Sequence, residues 1–306
     1  MNQIDYNLLS SIAGITSAPA GGAYNLRYNG EGVERHSTEN VTILSKTDKP
    51  GIDIIVKPGT KGETIYIPVM VTHSGIKDKV YNDFEIGEDA DVTIIAGCGI
   101  HNDGCGDSEH DGIHSFHIGK NARMKYVEKH YGEGEGTGAR ILNPTTIVKM
   151  EEGSYCEMET VQIKGVDSTI RETTAHLEAG AKMLVVEKLM THDHQVAHSN
   201  MDVHLDGEGS SVQIISRSVA KDESVQVFHP KAIGNAPCRA HVQCDTIIMD
   251  TAKVSSIPEI TSNHADAQIV HEAAIGRINN DQLMKLQTFG MTQEEAEEVI
   301  VQGFLK

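Results

Sequence analysis

Two stretches of this sequence concentrate residues able to bind metal or carry sulfur. The first, CGIHNDGCGDSEHDGIHSFH, holds Cys98, His101, Cys105, His110, His114 and His117 among glycines and aspartates. Thiolate and imidazole are soft to borderline ligands that suit iron, zinc and copper. A polar loop with incidental histidines accounts for the same letters, so two readings stay open. Strand alternation would send His114 and Phe116 to one face. The second set is HVQCDTIIMD followed by SIPEITSNHADAQIVHEA, in which Cys244 and His271 stand 27 residues apart. In a coiled β architecture that is about one coil plus a loop. Neighbouring coils stack at about 4.8 Å, so the two side chains could lie on adjacent rungs. A cysteine in an apolar strand also serves simply as a small buried hydrophobe. A third group, His192, His194 and His198 in THDHQVAHSN, lacks fixed carboxylate or thiol neighbours and reads as polar surface.

Other chemistries lose support. The chain has no GxxxxGK[ST], GxSxG, HExxH or GxGxxG, so ATP binding by a P-loop, serine hydrolysis, zinc proteolysis and dinucleotide binding have no motif. The five cysteines, Cys98, Cys105, Cys156, Cys238 and Cys244, are odd in number and form no CxxC. They read as free thiols of a cytoplasmic protein rather than a disulfide framework or zinc ribbon. The opening residues lack the basic start and apolar block of a signal peptide. No apolar run is long enough to span a membrane. A net charge of −18 disfavours phosphate backbones and anionic lipid as partners.

The elements that must position these residues are mostly short strands. VTILS, IDIIVKPG, ETIYIPVMVT, DVTIIAG, TTIVKM, SVQIISRSV and DTIIMD are β-branched runs cut by Gly, Asp and Asn. A loose repeat begins at residues 86, 118, 150, 177 and 205: IGEDADVTII, IGKNARMKYV, MEEGSYCEME, LEAGAKMLVV and LDGEGSSVQI. Each joins a polar turn, a small residue and a strand, and no helical period lies between them. That pattern fits coils of a β-solenoid better than an antiparallel sandwich with regular turns. Aromatics at 4%, no Trp and 29 glycines agree. Ile4, Leu8, Leu9 and Ile12 form the stripe of an N-terminal helix, and GAYNLRYNGEG after it reads as loop. At the other end Asn279 or Asn280 caps a helix carrying Leu283, Leu286 and Phe289. Thr292 with Glu295 forms a capping box before a helix whose apolar face is Ala296, Val299 and Ile300. This tail covers the solenoid end or docks a partner. The organisation is an N-terminal helix and loop over 1–40, a core over 41–275 and C-terminal helices over 276–306.

The tail carries a family resemblance. IPEI, AQIVHEAAIGRINNDQL and GMTQEEAEEVIVQGF, with QCDTIIM upstream, resemble the end of the SufB/SufD core family, scaffolds of the SUF iron–sulfur cluster assembly system. The resemblance is close over roughly residues 200 to 305 and is one of style over 40 to 200. It implies a mainly β fold, a right-handed parallel β-helix with a short N-terminal helix and a C-terminal helical segment. It implies pairing of two scaffold chains, docking of a SufC-like ABC ATPase on the C-terminal helices, a transient iron–sulfur cluster and no nucleotide on this chain. It makes the chain an assembly scaffold and not an enzyme, working with a sulfur donor and acceptor apo-proteins.

Residue by residue, Cys244 matches the SufB cysteine implicated in cluster assembly. His271 matches a functional SufD histidine, and Glu272 the second Glu of a SufB Glu-His-Glu run whose first Glu is Val270 here. Cys98, His101, Cys105, His110 and His114 are secondary metal or sulfur-entry candidates. Leu283, Leu286, Val299, Ile300 and Phe304 are the docking candidates. Where the family has an aromatic pair and an Arg, this chain has Met284, Lys285 and Phe289. Because it is short and carries both the SufB-like Cys and the SufD-like His, a homodimer is expected, with a heterodimer as the alternative. A structural SufD-like subunit with an inert Cys244 is the competing reading. A β-helix carbohydrate enzyme is a further one, weakened by the scarcity of aromatic sugar platforms.

Overall fold

The computed structural model describes residues 3–17, 19 and 21–306. Its body is a β-solenoid of about 8 turns, each turn contributing a strand to each of two facing sheets. The first sheet stacks Glu31–His36, Ala23–Tyr28, Lys61–Val71, Asp91–His101, Arg123–Glu133, Tyr155–Lys164, Lys182–Thr191, Ser211–Ala220, Arg239–Ile248 and Gln268–Gly276. The second begins with Val41–Ser45, Gly51–Val56, Lys77–Ile86 and Ser108–Ile118. Arg140–Leu142 and Thr145–Met150 share the next tier, followed by Ser168–Leu177, Val196–Leu205 and Val225–Gly234. Lys253–Ser256 and Glu259–Ser262 share the last. Pairing is parallel except for the first pair of each sheet.

The sequence forms this shape because its strands alternate and its turns repeat. In Arg123–Glu133, Met124, Tyr126, Glu128 and His130 point inward while Lys125, Val127 and Lys129 point out. At the repeat's turns, Asp89, Asn121, Gly153, Gly180 and Gly209 all hold positive φ, the conformation that Gly, Asn and Asp adopt at least cost. The next residue is always small and fully inside: Ala90, Ala122, Ser154, Ala181 or Ser210. Backbone N–H groups of these turns bond to the coil above, as in Asp89 to the Lys120 carbonyl at 2.9 Å and Asn121 to that of Glu152 at 3.0 Å. The turns thereby fix register and bring equivalent residues into columns.

Helix α1, Gln3–Ala13, buries Leu8, Leu9 and Ile12 on the outer face of the first sheet. Glycine is required beneath it. A Cβ on Gly97 would sit 2.5 Å from the Ile12 carbonyl oxygen, and one on Gly99 2.5 Å from a Leu8 methyl. The segment expected to be a loop after α1 is instead a hairpin. Asn29 and Gly30 both take positive φ and join Ala23–Tyr28 to Glu31–His36, the conformation that two-residue hairpin loops favour.

The C-terminal helices are α2, Asn280–Thr288, capped by Asn279, and α3, Gln293–Leu305, with the Thr292–Glu295 capping box complete. They do not cover the solenoid end. Val301 and Phe304 of α3 pack laterally on Val219, Met190 and Ile247, and the last strands stay exposed. The buried side of α3 is also rotated from expectation, since Ala296 and Val301 are inside and Val299 is exposed. Helix α3 needs only one stripe against the sheet, and the lateral position selects that stripe. Among the described residues no helix is long and apolar enough to cross a membrane.

His114 is buried in this interior, stacked 5.9 Å from the Phe84 ring. Burial pushes its pKa down to about 4; the nearby Glu128 opposes the shift, and His110, His130 and Arg171 add to it. The unfolded chain takes up this proton near the ordinary histidine value, so it binds more protons in the interval and stability rises with pH there. As pH falls from neutral to about 4, this group should cost on the order of 3 kcal/mol. Denaturant unfolding across that window measures the slope, and His114→Phe should flatten it. An unaltered slope in the variant would refute the assignment.

Candidate functional site

The last two strands of the first sheet bring the C-terminal candidates together. Arg239–Ile248 pairs with Gln268–Gly276 so that Val242 lies opposite His271, Gln243 opposite Glu272 and Cys244 opposite Ala273. With side chains alternating, Cys244 and His271 share the inward face as a diagonal pair, two residues out of register. Glu272 points the other way, to the outer surface, where a carboxylate oxygen lies 3.6 Å from Nε2 of His241. Within one chain, then, the thiol and the imidazole are neighbours and the carboxylate is not.

The surroundings of Cys244 are polar for an interior. Burial pushes its thiol up, and the hydroxyls of Ser256 and Thr246 draw it part of the way back. Thr246 and Ser218 share a hydrogen bond of 2.9 Å. Nε2 of His271 is buried without a hydrogen-bond partner. Burial first, and then the charge of His241, lowers the His271 pKa, which favours the neutral imidazole that ligates metals. An orphaned imidazole nitrogen and a thiol on the same face suit an incoming metal-bearing group. These donor types, sulfur and imidazole nitrogen, are also those of iron–sulfur centres.

Cys244 ends a polar column. In register along the first sheet come Glu128, Thr160, Glu187, Ser216 and Cys244, all facing inward. Glu128 is fully buried and accepts from Arg171 and, at 3.0 Å, from the Tyr126 hydroxyl. Glu187 accepts from Ser199 at 2.7 Å and from Ser216 at 3.0 Å. Charge this deep persists because Arg171 stands between the two carboxylates.

The stretch from Cys98 to His117 is divided by the same alternation. Cys98, His110 and His114 point into the coil, and His110 Nδ1 donates to Asp78 Oδ2 at 3.0 Å. His101 and His117 lie outside in carboxylate clamps, His101 between Asp103 and Glu133 and His117 between Glu85 and Glu151. Cys105 is exposed in the loop between the strands. The six are not one ligand set. Two close groups were missed from the sequence: His176, His204 and Asp206, and His192, Asp193 and Asp222. The signal for the first was present as His-Leu-Glu at 176–178 and His-Leu-Asp at 204–206, one coil apart. The docking candidates Leu283, Leu286, Ile300 and Phe304 are half-buried, and Val299 is exposed.

Comparison with known proteins identifies a family. Residues 81–304 match the family described as SUF system FeS cluster assembly, SufBD core domain. An iron–sulfur cluster assembly SufBD family protein of Archaeoglobus fulgidus is 27% identical over 275 residues, 89% of this chain and 73% of that one. One from Methanocaldococcus jannaschii is 30% identical over 255 residues, 82% of this chain and 79% of the other. Iron-sulfur cluster assembly protein SufB of Bacillus subtilis is 34% identical over 120 residues, which are 37% of this chain and 25% of that protein.

The burial pattern predicts the order of thiol reactivity. In the folded chain Cys105 should react first with iodoacetamide, and Cys244 at least about tenfold more slowly, because a buried, protonated thiol is a poor nucleophile. Peptide mass spectrometry over a labelling time course measures this. Equal rates would mean that the closed interior around Cys244 is wrongly described.

Proposed function

The chain belongs to the SufBD core family of the SUF system, and from that premise we propose that it is a scaffold subunit on which a nascent iron–sulfur cluster is built. The observation that carries this reading is the placement of Cys244 beside His271, whose Nε2 is buried and unpartnered, at the open end of the solenoid. The cluster is cargo, and this chain offers two of its ligands. A deprotonated Cys244 binds iron or holds transferred sulfur as a persulfide. Neutral His271 adds a nitrogen that ligates iron less firmly than a further thiolate would, which favours later release to acceptor proteins.

The open end also suits a second scaffold chain. Its last strands present unpaired edges, and Ile257, Ile260, Val270 and Ile275 are exposed there. We favour a homodimer, in which the outward Glu272 of each chain lies close to the joint. A SufC-like ABC ATPase would dock on α2 and α3 through Leu283, Leu286, Val299, Ile300 and Phe304, with the exposed Met284 and Phe289 beside them. ATP would then belong to the partner, in the cytoplasm, and this chain would turn over nothing itself. Rigid-body movement of the ATPase would open the joint between the two chains. The burial of Cys244 equally suits a structural subunit with an inert thiol, and experiment separates the two.

Anaerobic reconstitution with iron and sulfide, with the ATPase co-expressed, provides that test. Wild type should take up a cluster, Cys244→Ser should lose nearly all of it, and His271→Ala should retain iron at least about tenfold more weakly. Equal uptake by wild type and Cys244→Ser would move the site elsewhere, with Cys98 the next thiol to examine. No uptake by wild type, with the ATPase still bound, would favour the structural subunit. A native mass containing a second kind of scaffold chain would overturn the homodimer.

A further inference from the structure

A second constellation of ligands lies far from Cys244 in character, on the outer face of the second sheet. His176 and His204 occupy the same position in successive coils, on Ser168–Leu177 and Val196–Leu205. Their imidazoles stack with centroids 4.4 Å apart and planes 15° from parallel. Asp206 follows His204 at the start of the turn, and its Oδ2 lies 2.9 Å from Nδ1 of His176. One donor atom from each of the three lies within 4.8 Å of the other two, and all three side chains reach solvent. The ring of His204 makes no hydrogen bond among the described residues.

Two features set this group apart from chance surface polarity. The backbone beneath it is rigid: both histidines sit in strands paired on both sides, and the Asp206 N–H donates to the Leu177 carbonyl at 2.9 Å. The carboxylate is also oriented from behind. Asn235 Nδ2 donates to Asp206 Oδ1 at 2.6 Å, and Asn263 Nδ2 donates to Asn235 Oδ1 at 2.7 Å. This chain of amides turns one carboxylate oxygen toward the histidines and holds it there, the arrangement by which outer residues position metal ligands. The other close group, His192 with Asp193 and Asp222, lacks this support. There no side-chain amide orients either carboxylate among the described residues, and Asp222 Oδ2 accepts from the Asp193 backbone N–H at 2.8 Å.

The geometry points to a divalent first-row transition metal site formed by His176, His204 and Asp206, with open coordination positions facing solvent. Two imidazoles and one carboxylate suit Fe²⁺, Co²⁺ or Zn²⁺, and disfavour Mg²⁺ and Ca²⁺, which prefer oxygen alone. Donors must approach to about 3 Å of one another around an ion bound at about 2.1 Å. The His176–Asp206 pair already does, and the His204 donor, within 4.8 Å of both, moves closer as the ion binds. A single carboxylate leaves the bound ion with net positive charge, so water or an anionic ligand would fill the open positions. The strongly acidic surface of the chain raises the local concentration of cations. The proposal stands apart from the cluster site and needs none of its ligands.

The full-length chain carrying Cys244→Ser, freed of metal by chelation, is titrated anaerobically with Co²⁺. Equilibrium dialysis and visible ligand-field absorption are read together. The expected result is one Co²⁺ in nitrogen and oxygen ligation, displaced by Zn²⁺. His204→Gln and Asp206→Asn should each weaken it by more than about tenfold, and Asn235→Ala by about tenfold. Both ligand side chains leave the sheet outward, so both ligand variants should keep the parent's thermal midpoint. Undiminished Co²⁺ affinity in both ligand variants, or no Co²⁺ retained by the parent at micromolar concentration, overturns the site.

Discussion

Everything in this molecule depends on the in-register parallel ladder between successive coils. Each strand's N–H and C=O groups are satisfied by the coils before and after it, so a coil is stable only as part of the stack. The ladder converts sequence intervals of 27 to 32 residues into side chains one strand apart. Columns follow, and the columns carry the chemistry. Phe84 over Phe116 is an apolar one, with rings 4.3 Å apart. Glu128, Thr160, Glu187, Ser216 and Cys244 form a polar one. His176 over His204 is a third, on the outside.

The polar column is costly. Two carboxylates and a guanidinium inside a narrow solenoid lose hydration that their mutual attraction only partly restores, and apolar residues would fill the same space without that loss. Their presence means that the interior tolerates charge and hydroxyls as far as Cys244. One strand further on the ladder stops. The final strands expose their edges, and His271 Nε2 goes without a partner. Elsewhere the fold spends residues on closing itself, as α1 does against Gly97 and Gly99. At this end an unmatched imidazole nitrogen shares the inward face with a thiol, next to open strand edges. That combination is what makes the end a place for cargo and a partner.

Much of this was legible in the sequence, and the failures have physical causes. The repeat of polar turn, small residue and strand revealed the solenoid because one positive-φ position recurs in each coil. The spacing of Cys244 and His271 gave adjacent rungs, but not the offset of two residues, because loop lengths vary between coils. Alternation alone sends Glu272 away from its neighbour His271. The Asn29–Gly30 hairpin was hidden by its polar strands, since the signal lay in the turn and not in hydrophobicity. Helix α3 had its caps legible but not its contact stripe, because the position of the sheet beneath it is a tertiary fact. His176 and His204 were overlooked because their repeat shows only once coils are aligned.

The central claim is that Cys244 and His271 of this chain together hold the cluster. Hyperfine spectroscopy on the reduced, reconstituted complex, with histidine labelled by nitrogen-15, tests it most directly. The account predicts a nitrogen coupled to the cluster spin that disappears in His271→Ala while some cluster remains. A spectrum with no coupled nitrogen, or one unaltered by His271→Ala, would contradict it.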